Sequence, residues 1–228
     1  MGVRDIVMSR VVMPAVKQAT PDKAARLART AFEKAVDGVG PLKPAAKDAD
    51  RRLAEVNGNV EAAIADVIRD HTRMAAVEGF ATNIGGLVSM AVLVPTNIAG
   101  IALIQVRMVA EIAHLRGYDL TDPRVRTAVF AAMLGANAVR DLEKNKQLPS
   151  RPRVIATGPA LDPETTERIS SAVVAEIIAR AAGRSTVTFV GKRVPVLGGV
   201  VGGATDSWST RRIGKYAARE LTQRTITA

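Results

Sequence analysis

Cysteine is absent from this 228-residue chain, and aromatic residues make up only 3% of it. The first absence excludes disulfides, thiolate metal sites and cysteine nucleophiles, and leaves the redox compartment undetermined. The second means that alanine, valine, isoleucine and leucine must fill the core, since 47% of residues are hydrophobic. Common enzyme signatures are missing too. Gly191-Lys192 is not a phosphate loop, because Thr186 stands for the first glycine and Arg193 for the Ser/Thr. Gly198–Gly203 lacks the dinucleotide spacing, and neither H-E-x-x-H nor G-x-S-x-G occurs. Asp5 and Arg10 interrupt the apolar N-terminus before a signal-peptide core forms, and Ile6 stands where myristoylation wants Ser or Thr. A cytoplasmic location is expected, with no cofactor and no metal.

Charge is also missing locally. The 28 residues from Gly79 to Val106 carry none, between Glu78 and Arg107. About twenty apolar residues can cross a bilayer as one helix. Here Asn83, Gly85-Gly86, Pro95 and Asn97 divide the run into pieces that suit a buried helical hairpin better, spanning about 79–116. Elsewhere the pattern is helical almost throughout. Thr20-Pro21-Asp22 starts a helix that carries Phe32, Ala35 and Val36 and stops near Gly38. Pro41 and Pro44 open a second, ended by Asn57-Gly58. Asn59 caps a third with Ile64, Val67, His71 and Ala75 on one face. Asp122-Pro123 starts a helix expected to run through Ala136, and Asp162-Pro163 one reaching about Ala182. Val187–Val190 has the only β-like character, and the last helix is expected from about Val196 to Thr222. Residues 141–161, polar and then rich in Pro and Gly, form the best internal linker. The class is all-α: one compact multi-helix bundle, 1–228, with a Gly-rich C-terminal helix.

The net charge is +10, and residues 151–228 supply +6 of it, 12 basic groups against 6 acidic. Such a face suits a polyanion. Stacking aromatics are too few for a nucleic acid, so an anionic membrane surface or a membrane protein complex is the expected partner. Trp208, Arg211, Arg212, Lys215, Tyr216 and Arg219 form the candidate membrane-contact set on the last helix. Gly198, Gly199, Gly202 and Gly203 give two overlapping small-xxx-small spacings, which allow close helix approach within the bundle or in a homo-oligomer.

Arg107, Glu111, His114 and Tyr118 fall on one helical stripe, with Asp119 just beyond Gly117. Arg107 and Glu111 can pair, and Glu111 can orient His114. The stripe takes two readings: a structural ion pair that fixes the bundle's register, or a pocket for a head group or phosphate anchored by Arg107. A metal site would further need His71, the only other histidine.

The blocks 79–126 and 194–220 resemble the EcsC family. The matching residues are Gly79-Phe80, Thr82, Gly85-Gly86-Leu87, Pro95, Arg107, Ile112-Ala113, Gly117-Tyr118-Asp119, Pro195, Gly198, Gly202-Gly203 and Ile213-Gly214. Asn83 departs from the pattern where a glycine is expected. The resemblance implies a helical accessory protein, cytosolic or membrane-associated and linked to an ABC transporter, with no catalytic residue to carry over, and the charge pattern adds an expectation of lipid binding. The expected function is therefore a non-catalytic protein at the cytoplasmic membrane face. The alternatives are an enzyme or ligand-binding protein acting on a lipid or phosphorylated small molecule in a pocket around Arg107, Glu111 and His114, and a self-associating structural scaffold.

Overall fold

A computed structural model describes residues 29–30, 32–38, 42–76, 96–173 and 195–222. The start of the first helix at Pro21, the first hairpin arm to Pro95, residues 174–182, Val187–Val190 and Arg224 lie outside the described residues.

Turn chemistry sets the helix ends. Residues 32–37 are helical and end at Gly38, whose φ of +83° favours glycine. Helix α1 (Ala45–Glu55) follows Pro44 and stops before Asn57 and Gly58, both at positive φ. Helix α2 (Val60–Ala76) begins with the Asn59 side chain accepting from the Ala62 amide at 3.0 Å. Helix α3 (Thr96–Leu115) ends at Gly117, again at positive φ. Asp122 caps α4 (Pro123–Ala132) by accepting from the Arg124 amide. That helix does not reach Ala136. The chain turns at Met133 and Leu134, Gly135 takes a φ of +77°, and α5 (Gly135–Lys144) starts afresh.

The stretch 141–161 holds the end of α5 and all of α6 (Pro152–Thr157), which packs on α4. Leu148, Ile155 and Ala156 are buried there, so this polar stretch contributes to the core. Residues 163–173 form a further helix, with Asp162 accepting from the Thr165 amide. The last helix, α7 (Pro195–Glu220), packs on α2, α3, α4 and α5, and contains the four glycines of the small-xxx-small pattern. All described regular structure is helical, and the protein is all-α as its sequence implies.

Helix α3 lies at the centre. Every residue from Ala102 to Ala113 is buried, against α1, α2, α4 and α7. Burial on all sides favours apolar side chains, which accounts for the lack of charge from Ala102 to Val106. No helix among the described residues is long and apolar enough to cross a membrane. Helices approach closely at Gly214, where an added Cβ would come within 2.9 Å of Ile68 Cγ1 and 3.0 Å of Met108 Sδ. A side chain there would require Ile68 and Met108 to shift.

Candidate functional site

Two groups of polar residues stand out, one inside the bundle and one on its surface. The buried group is centred on Glu111, which α3 places against α1 and α2. Its side chain is 1% exposed, beside Arg107 at 5% and His71 at 2%. Glu111 Oε1 lies 3.4 Å from Arg107 Nε and 3.5 Å from His71 Nε2, while Oε2 lies 3.4 Å from Arg52 Nε. Arg107 also donates to the Ala35 carbonyl at 2.9 Å and to Asp48. Arg52 donates to Asp70 at 2.6 Å. One network thus ties α1, α2, α3 and the 32–37 segment together.

The ring of His71 donates from Nδ1 to the Val67 carbonyl at 2.9 Å, which fixes its tautomer and turns the Nε2 lone pair toward Glu111. Burial disfavours both charged forms. It raises the Glu111 carboxyl to about 7, against the pull of Arg107 and Arg52, and lowers His71 to about 4. Two guanidiniums around one carboxylate repel a cation. Among the described residues no group of three His, Asp or Glu side chains is placed to hold a metal.

The predicted stripe is therefore divided. Arg107 and Glu111 do pair, but the histidine beside Glu111 is His71. His114 points outward and meets Asp50 Oδ1 at 2.7 Å. Tyr118 is buried, its hydroxyl donating to the Thr222 carbonyl at 3.2 Å. Asp119 is exposed and closes a turn by accepting from the Thr121 amide and hydroxyl. The structure brings in Asp48, Arg52 and Asp70, which sequence reasoning did not select. The available signal was the Asp48–Arg52 spacing of four beside the small residues Ala45 and Ala49.

The pair titrates in opposite directions. Glu111 sits above its usual 4.5, so the stability tied to its protonated form is full below pH 4.5 and is lost as pH rises through about 7. His71 sits below its usual 6.5, so its contribution is full above pH 6.5 and is lost as pH falls through about 4. Between these limits the folded and unfolded states hold one proton each on this pair, and the slopes cancel. In Glu111→Gln the His71 slope is unmasked, and stability should rise with pH between pH 4 and 6.5. In His71→Gln it should fall with pH between pH 4.5 and 7. Urea titrations across this range read both slopes. Variant profiles parallel to the parent's would refute the assignment.

The surface group is on α7. Trp208, Arg211, Arg212, Lys215 and Arg219 are all exposed and share one helical face, at steps of three, one, three and four. Trp208 is 60% exposed, and the Arg212 guanidinium lies 4.5 Å from its ring centroid. None of the four cations pairs with a described carboxylate within 4.0 Å. Ile213, Ala217 and Leu221 turn the opposite face into the core. Tyr216 departs from the expected contact set, since it is only 9% exposed and belongs to the core cluster.

Fold and sites together define an all-α bundle pinned by a buried ion network, with one basic outer face. The model of the EcsC protein family matches residues 7–226, and the chain belongs to that family. No curated protein and no solved structure matches it.

Proposed function

We propose that this EcsC-family protein is a non-catalytic accessory protein that docks peripherally on the anionic, cytoplasmic face of a membrane through the exposed face of α7. One observation supports the reading above others: four exposed cations, none with a described carboxylate within 4.0 Å, share the outer stripe of one helix with a tryptophan. An interfacial tryptophan inserts its ring at head-group depth while arginines meet lipid phosphates. The Arg107–Glu111 network supports a structural role, because each guanidinium there is already engaged by protein oxygens. A transporter-linked role, as the family resemblance implies, fits a protein held at that surface.

Affinity for phosphatidylcholine vesicles should rise with added phosphatidylserine and fall steeply with salt, since exposed charges are screened beyond about 8 Å at physiological ionic strength. The fluorescence of Trp208, the single tryptophan, should shift to the blue on binding. Binding indifferent to both lipid charge and salt would remove the assignment.

A further inference from the structure

We propose that α6 is a second membrane contact, in which Val154 enters the lipid interface between Arg151 and Arg153, beside the α7 stripe. The inference rests on the membrane reading above and adds a second, separate element to it.

Among the described residues only two large hydrophobic side chains are exposed, Trp208 at 60% and Val154 at 52%. Both stand among exposed arginines: Arg211 and Arg212 for the first, Arg151 and Arg153 for the second. A six-residue helix held to α4 by buried Pro152, Ile155 and Ala156 presents Arg151, Arg153 and Val154 outward on a fixed base. The surrounding surface is basic. Between residues 140 and 153, Arg140, Lys144, Lys146, Arg151 and Arg153 are exposed, against the two acids Asp141 and Glu143.

Both elements pack on α4. Helix α7 packs on α5, and a Cβ at Gly135 would lie 3.7 Å from Ile213 Cγ1. Tyr216 is four residues after Arg212 and three before Arg219, so it borders the basic stripe. Its hydroxyl is within electrostatic reach of Arg151 and Glu143. Arg151 and Arg153 add two exposed cations to those of α7. An anionic bilayer complements a broad cationic surface carrying two separated apolar anchors, and each basic residue near it adds to the binding.

The chain's lack of cysteine permits a clean test. Val154→Cys, labelled with a polarity-sensitive fluorophore on the full-length protein, is mixed with phosphatidylcholine–phosphatidylserine vesicles. A blue shift that salt reverses, together with the Trp208 shift, is the expected result. Arg151→Gln and Arg153→Gln should each weaken vesicle binding about fivefold, the effect of one basic residue near an anionic surface. If Trp208 shifts while the Val154 probe does not, and both arginine variants bind like the parent, α6 is no contact and the α7 reading stands alone. If neither probe responds, both readings fall. Loss of vesicle binding with tight binding to a single-stranded oligonucleotide would assign the basic face to nucleic acid instead.

Discussion

Above pH 7, where Glu111 is ionised, Arg107→Ala should lower stability by about 3–5 kcal/mol, the usual cost of removing one member of a buried ion pair. Three contacts disappear together: the Ala35 carbonyl, Asp48 and Glu111. The loss would leave a buried carbonyl without that donor and Glu111 facing Arg52 and His71 alone. Glu111→Ala should also destabilise, because Arg107 and Arg52 then confront each other with less compensation. The double variant should cost less than the sum of the two, since removing both groups avoids an unpaired buried charge. Urea melts of the three variants measure this coupling. A folded Arg107→Ala protein of parental stability would instead favour a ligand pocket, where a cation waits for its anion.

Val109→Asp should prevent folding under ordinary conditions. Val109 has no exposed surface, and α3 is covered around its whole circumference from Ala102 to Ala113. A carboxylate there has no outward route, and burying an unpaired charge costs more than a marginally stable domain can absorb. Circular dichroism and a thermal melt would show the loss. A cooperatively melting variant close to the parent would contradict the central position of α3.

Local signals were legible where local chemistry decides. Asn59 and Asp122 cap their helices, and Gly38, Gly58 and Gly117 take positive φ at the expected ends. The Arg107–Glu111 pair follows from spacing along one helix. Its other partners do not, because periodicity gives the face of a helix and not what lies opposite. His71 and Arg52 are 40 and 59 positions from Glu111 in sequence, and only the packing of α1 and α2 on α3 brings them near. Similarly, Tyr216 looks amphipathic beside Lys215, yet one residue turns it 100° around the helix and into the core. The polarity of 141–161 hid Leu148 and Ile155, whose anchoring depends on α4 rather than on their neighbours in sequence. Gly135 ended α4 early by taking positive φ, a conformation that its apolar surroundings did not signal.

The membrane assignment is tested most directly by sedimenting the full-length protein with phosphatidylserine-containing vesicles, beside a variant with Arg211, Arg212, Lys215 and Arg219 all changed to Gln. The four side chains are exposed and none meets a described carboxylate within 4.0 Å, so the variant should melt like the parent. The parent should sediment with the vesicles. The variant should stay in the supernatant, having lost on the order of 1 kcal/mol of binding for each cation. Equal sedimentation of the two proteins would contradict the account.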